Sequence, residues 1–344
     1  REPRAVHLAS APLQRLVVRL HFVRHAHLQG GQLPTSAVRV IAARRAAFGT
    51  DDTVRMAWEA GAMQLGIFGV NSSITHGPGA TARLARLCEE LGYESWWAGE
   101  HVVLPSPRVA PSPMRPEDPI LDPLVHLAYV AAITERMVLG TGIIILPQRN
   151  PLVLAKQIAT LDVLSGGRFE FGVGVGYLEP ELHAIGVTLA ERASRTDDHL
   201  AAMRAIWYDE APVAFDGAHT HFSGIDANPR PTRRIPVVVG GRTTGAYRRS
   251  VEQADGWYGF FLDPAQTAEC LAGLAAAGER YERPSECDRL HISITPAGPV
   301  TRESLAAYTD LGVDRLIVYP AGARDEAEVE RFIREQAELA LGLG

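Results

Sequence analysis

The sequence predicts a closed (β/α)8 TIM barrel with an insertion after its fourth helix. Three observations lead there. From Met63 onward, short apolar runs alternate with amphipathic stretches, and the pair recurs eight times. The runs are rich in β-branched and aromatic residues and are bounded by glycine or proline. Eight such units over about 280 residues match the usual size of a barrel. An open, doubly wound parallel sheet draws on the same alternation and is the competing arrangement.

In order, the first strand is 64–70, followed by a helix at 79–91 with Leu84, Leu87 and Leu91 at helical spacing. Strand two is "ESWWAGE", ending at Glu100 and His101, and a proline-rich loop covers 104–119. Asp122 and Pro123 read as N-cap and first residue of helix two. Strand three is "LGTGIIILPQRNP", 139–151, which is odd because two glycines interrupt a core strand. Helix three spans 151–164, strand four is "FEFGVGV", and helix four covers 190–207. Residues 208–235 break the rhythm with polar, aromatic and proline-rich sequence and form the insertion, with a hairpin turning at Asp216-Gly217. The rhythm resumes with "IPVVVGG", a helix at 243–253, "GWYGFF", a helix at 264–282 and "LHISITP". A helix at 302–310, "RLIVYP" and a last helix at 325–341 close the chain.

Composition narrows the class. A charge of −6 with 46% hydrophobic residues suits a soluble globular enzyme and argues against a nucleic-acid partner. No apolar run approaches the ~18 residues of a membrane span. Cys88, Cys270 and Cys287 lie far apart without a CxxC, which argues against a disulfide framework or zinc knuckle and for a reducing, cytoplasmic setting. Residues 1–62 carry nine arginines against four acids and show no period. They read as an N-terminal extension outside a domain that covers 63–344. A targeting peptide or a nucleic-acid arm fits that stretch less well.

In a barrel, the site forms where the strands end. "GVGVGY", 172–177, exposes backbone N–H groups and lets a ligand approach, although tight strand-to-helix packing needs the same glycines. "VVVGGRTTGAYRRS", 237–250, ends a strand in Gly240 and Gly241 and starts a helix near Thr243. Free N–H groups there, with Arg242, form an anion site, against the alternative of plain capping. His101 is either a proton donor to a bound ring or substrate or a hydrogen-bonded rim histidine, with Glu100 as its partner or as a structural acid. Glu179 and Glu181 read as surface helix acids in preference to a glycosidase-like pair. His219 and His221 lack a carboxylate spacing for a metal, and no metal is expected.

Taken together and in order, "LGTGIIILPQRNPLVLAKQIATLDVLSGGRFEFGVGVGYLEPEL", "GVTLAERASRTDDHLAAMRAIW" and "IPVVVGGRTTGAYRRSVEQADGWYGF" resemble the luciferase-like monooxygenase superfamily. The resemblance runs from about Met63 to the C-terminus and is greatest to the branch dependent on coenzyme F420, a 5-deazaflavin. It implies the barrel with its insertion, a small-molecule substrate and a homodimer. It implies that the ring rests against strand three, at a bulge with a non-proline cis peptide matching Gly142–Ile143. By the same matching, Gly174, Gly176 and Tyr177 lie near the ring and side chain, Gly240, Gly241 and Arg242 hold the phosphate, and His101 sits by the reactive carbon. Tyr177 stands where the sugar-phosphate dehydrogenases of the family carry glutamate, which argues against glucose 6-phosphate. Trp97, Tyr177 and the 104–119 loop are expected to shape the pocket. The competing readings are an FMN-dependent two-component monooxygenase on the same barrel, a non-catalytic cofactor-binding protein, and a carboxylate-pair hydrolase.

Overall fold

A computed structural model describes residues 63–285 and 287–342, so the reading of 1–62 lies outside the described residues. The elements are β1 Gln64–Phe68, α1 Pro78–Glu90, β2 Ser95–Ala98, α2 Pro123–Ala131, β3 Val138–Thr141, β4 Ile144–Ile145, α3 Pro151–Ser165 and β5 Phe169–Gly174. Then come α4 Glu179–Ala184, α5 Arg192–Tyr208, β6 Val213–Asp216, β7 His221–Ile225, β8 Val237–Gly240, α6 Thr244–Gln253 and β9 Gly256–Leu262. The last are α7 Pro264–Gly278, β10 His291–Pro296, α8 Arg302–Asp310, β11 Arg315–Val318 and α9 Glu326–Leu341. No described helix is long and apolar enough to cross a membrane.

The parallel sheet runs β3-β2-β1-β11-β10-β9-β8-β5-β4, and a β3–β5 pairing closes it into the expected barrel of eight walls. The open-sheet alternative is thereby excluded. The antiparallel hairpin β6–β7 forms the insertion between α5 and β8, with Phe215 opposite Phe222. Asp122 accepts from the N–H groups of Leu124 and Val125, as its position before Pro123 predicts.

One departure from the sequence reading falls at the C-terminal end of the barrel. The third wall is two short strands, not one run, because residues 142 and 143 leave the sheet between β3 and β4. The short helix α4 follows the strand-four glycines and carries Glu179 and Glu181, helical as expected, ahead of the long α5.

Two layers of side chains fill the barrel. Trp97, Val238, Tyr258 and Ile317 form its apolar interior, with Phe68 and Ile143 packed on them toward the strand ends. Below, the fully buried Arg315 is hydrogen-bonded to Glu170 at 2.9 Å and to Glu94 at 2.7 Å. Burial works against the charge of Arg315, but the two carboxylates more than offset it and raise its pKa. The larger core lies between strands and helices, where Leu84 and Leu87 of α1 are buried and Leu91 packs against them in part.

Candidate active site

The break in the third wall is a bulge. β3 pairs Gly140 with Glu170 and β4 pairs Ile144 with Val173, so this wall uses one more residue than its neighbour over the same span. The two interrupting glycines do different work. A Cβ on Gly140 would lie 2.5 Å from the Trp97 indole, so this glycine makes room for the ring beneath. Gly142 and Ile143 are partly exposed, and the peptide between them is cis, as the resemblance implies. A Cβ on Gly142 would come within 3.2 Å of both Phe68 and Tyr258 ring atoms.

The glycines of the fourth and fifth walls clear space for this bulge. A Cβ on Gly172 would sit 1.7 Å from the Thr141 carbonyl oxygen, and Thr141 Oγ1 donates to the Gly172 carbonyl at 2.7 Å. The side chain of Ile143 crosses the barrel rim: its Cδ1 lies 2.4 Å from a Cβ on Gly174, and its Cγ2 3.1 Å from one on Gly240. Gly176 has φ +76°, a conformation that glycine adopts without strain. Thus Gly172 and Gly174 pack against the bulge itself, Gly176 lies against Ile145 and Leu182, and Ile143 fills the space beside Gly174.

His101 follows β2 and is largely buried, with Nδ1 2.7 Å from Glu181 Oε2. The other Glu181 oxygen accepts the Val102 N–H at 2.7 Å. Glu181 is therefore no surface acid: only 1% of it is exposed, because α4 folds back under the loop after β2. Glu179, two residues earlier, is exposed as expected. The partner that sequence offered His101, Glu100, faces away. Its Oε2 accepts the Ile145 N–H at 2.6 Å, and Oε1 accepts from Arg149 Nε at 2.7 Å. Burial pushes the Glu100 carboxyl up against the pull of Arg149. Glu100 thus fastens the strand just past the bulge, and Gln148 Nε2 lies 3.4 Å from it and 3.5 Å from Glu181.

Tyr177 stands edge-on to the His101 ring at 6.0 Å between centroids and is half exposed. Burial of its other half and the charge of Glu181 raise its pKa, so the phenol stays protonated. Trp97, expected to shape the pocket, is instead fully buried beneath the bulge, donating to Ser95 Oγ at 2.9 Å.

On the other flank, β8 ends at Gly240, and Gly241 has φ +119°, which demands glycine. Its carbonyl accepts from Trp257 Nε1 at 2.8 Å, which pins the loop to the barrel. Thr243 caps α6 by accepting the Ala246 N–H at 3.2 Å. The remaining first-turn N–H groups have no intrahelical acceptor, and residues 241–245, Arg242 included, are exposed. Arg248 and Arg249 bind Asp197 of α5 at 3.0 and 2.6 Å, which fixes the helix axis.

The opposite side of the mouth is aromatic. Phe68 packs against Phe260 at 5.0 Å and against Tyr319 at 5.3 Å, and Phe260 against Phe261 at 4.9 Å. β9 carries a second bulge here: Thr295 pairs with Phe260 and Pro296 with Leu262, which leaves Phe261 unpaired at φ +55°. Sequence reading passed over these residues because "GWYGFF" looks like an unbroken strand.

The mouth of the barrel thus brings together a partly exposed backbone step, an imidazole–carboxylate pair on one flank and an exposed helix N-terminus on the other. The profile of the luciferase-like monooxygenase family matches residues 63–338, and the chain belongs to that family. An uncharacterized Mycobacterium tuberculosis protein is 33% identical over 271 residues, spanning 74% of this chain and 93% of its own. An F420-dependent glucose-6-phosphate dehydrogenase of Kineococcus radiotolerans is 31% identical over 185 residues, 52% of each chain. Among solved structures, the monooxygenase RslO1 of Streptomyces bottropensis superposes with TM-score 0.65 at 22% identity, covering 81% of this chain and 99% of its own. The F420-dependent tetrahydromethanopterin reductase of Methanopyrus kandleri does so with TM-score 0.64 at 16% identity, covering 82% and 99%. These two likenesses establish the fold.

Proposed function

We propose that this chain is an oxidoreductase that transfers hydride between coenzyme F420 and a small organic substrate. The observation that carries the reading is the pairing of the partly exposed Gly142–Ile143 step after β3 with the His101–Glu181 couple after β2, the neighbouring strand. The dehydrogenase of Kineococcus radiotolerans, similar over half of this chain, supports the choice of F420.

The residues present fit such a cofactor. The Gly142–Ile143 backbone offers a surface without a Cβ at its first residue. Gly240, Gly241 and Arg242 with the α6 N-terminus would hold a phosphate through N–H groups and one guanidinium. When bound, the deazaflavin supplies the carbon that gives or takes hydride.

The protein's part is orientation and proton handling. With Nδ1–H donated to Glu181, the His101 ring keeps its lone pair on Nε2, ready to accept a proton from a substrate hydroxyl. Protonated there, the same atom donates to a carbonyl oxygen in the reverse direction. Tyr177 at the edge of His101 and the loop after β2 would keep water from the reacting atoms.

Separate fluorescence titrations of the purified protein with F420 and with FMN test the reading. Saturable F420 binding, with an absorbance change at the deazaflavin band on adding substrate, is the expected result. Tight FMN binding without F420 binding would transfer the assignment to a two-component flavin monooxygenase. Cofactor binding without any turnover would leave a binding protein.

A further inference from the structure

The aromatic half of the mouth carries an inference about substrate class, and it rests on the ring lying against Gly142. We propose that Phe68, Phe260, Phe261 and Tyr319 form the substrate wall, and that it selects an uncharged aromatic or alicyclic compound.

Three observations support this. First, Phe260 and Phe261 are consecutive in β9 and stay 41% and 39% exposed, although every strand residue before them in β9 is buried. Two adjacent exposed phenylalanines at a barrel mouth leave apolar area uncovered among the described residues, which is the usual mark of a ligand surface. Second, the backbone is bent to put them there. The bulge at Phe261 costs a ladder pairing and holds a bulky side chain at φ +55°, a region such residues rarely enter. Strain of this kind persists where the surrounding structure enforces it, and it clusters at functional sites.

Third, the wall is free of charge. The strand ends and loop starts that build this half, residues 68–72, 260–262, 296–300 and 319–323, contain no Asp, Glu, Lys, Arg or His. Asp263 and Arg324, the next charged residues after 260–262 and 319–323, are engaged elsewhere, Asp263 capping α7 and Arg324 bonded to Glu328, while His101 with Glu181 and Arg242 lie on other walls. A phosphorylated or carboxylated substrate placed against this wall would find no counter-charge, and its desolvation would go uncompensated. A neutral ring would instead pack edge or face against Phe68 and Phe260. Phe68 also touches the step itself, since a Cβ on Gly142 would meet its ring at 3.2 Å. The wall therefore adjoins the step, and a substrate on the wall would lie next to a ring resting against Gly142.

The test uses the F420-loaded full chain and three probes: acetophenone, its charged near-isostere benzoate, and glucose 6-phosphate. Calorimetric titration reads their affinities, and F420 fluorescence reads cofactor affinity in the same samples. Acetophenone should bind at least about tenfold more tightly than benzoate, and Phe260→Ala should weaken acetophenone by about tenfold while F420 affinity holds. Phe260→Leu, which keeps an apolar side chain, should lose less. Benzoate or glucose 6-phosphate binding as tightly as acetophenone would overturn the proposal, as would no acetophenone binding or an unchanged affinity in Phe260→Ala. Failure of the unsubstituted protein to bind F420 strikes the cofactor reading alone; the same three titrations on FMN-loaded protein then decide the wall by the same outcomes.

Discussion

His101 Nδ1 and Glu181 Oε2 are 2.7 Å apart, and the second carboxylate oxygen is fixed by the Val102 N–H. Since a carboxylate only accepts, the pair has a defined polarity, with the imidazole donating from Nδ1, and under the proposed function Nε2 is the atom that exchanges a proton with substrate. Glu181→Gln preserves size and the Val102 bond but turns an amide NH2 toward Nδ1, which reverses the tautomer. Turnover should fall by on the order of 10²-fold, as it should in His101→Asn, with F420 affinity unchanged in both. Because the two residues act as one unit, the double variant should be no slower than His101→Asn alone. Steady-state rates of the four proteins measure this. Additive losses would show that Glu181 acts separately from the histidine.

Glycines 172 and 174 sit two residues apart in one strand, yet their replacement by alanine should fail in different ways. At 172 the new methyl would meet backbone, the Thr141 carbonyl at 1.7 Å, and the third wall would have to move. Gly172→Ala should lose about 3 kcal/mol or more, or fail to fold. At 174 the obstacle is Cδ1 of Ile143, the free end of a side chain, at 2.4 Å. Gly174→Ala should keep most of its stability, with a loss of about 1 kcal/mol, but displace Ile143 and weaken cofactor binding more than it weakens the fold. Urea denaturation and F420 titration on both variants separate the two effects.

The contrast shows what sequence could carry. The eight walls, the cap at Asp122 and the insertion hairpin are written in local periodicity and in residues with strong conformational preferences, so they were legible. The Gly142 bulge was legible as an anomaly, two glycines in an apolar run, although the partner of Gly140 proved to be Trp97. Glu181 was not legible. Its burial depends on a six-residue helix too short to show a period and on a histidine 80 positions away. The Phe261 bulge escaped for a similar reason: an unpaired residue in a strand is a fact about register with β10, and register is set by the neighbour.

The exposed start of α6 should make cofactor binding sensitive to salt. Arg242 is exposed, so its attraction to a phosphate is screened, unlike the backbone N–H groups beside it. Arg242→Ala should weaken F420 by roughly tenfold at low ionic strength and by clearly less at about 0.5 M salt. Equal losses at both salts, or no loss, would place the phosphate away from this turn.

Arg315 holds the bottom of the barrel. It is fully buried with Glu170, also fully buried, and with Glu94. Arg315→Met would leave Glu170 charged and unpaired in the interior, at a cost of about 3–5 kcal/mol. Adding Glu170→Gln to that variant removes the orphaned charge and should recover part of the loss. Denaturant midpoints of the two variants against the parent measure it, and a double variant less stable than Arg315→Met would contradict the account.

His126 supplies a pH dependence of stability with a definite sign. Its Nε2 accepts the Trp96 indole N–H at 3.0 Å, which requires the unprotonated ring, and burial pushes its pKa down to about 4. The unfolded chain, with an ordinary histidine pKa of about 6.5, binds this proton more readily than the folded one. Stability is then complete above pH ~6.5 and falls as pH drops toward about 4, below which this group adds no further loss. At pH ~5 the loss attributable to His126 is about 2 kcal/mol. His126→Leu forgoes the Trp96 bond and starts less stable, but it cannot titrate. Urea midpoints at pH 7 and pH 5 should therefore move less in the variant than in the parent. Equal movement would mean that the His126 ring takes up its proton in the folded barrel without hindrance.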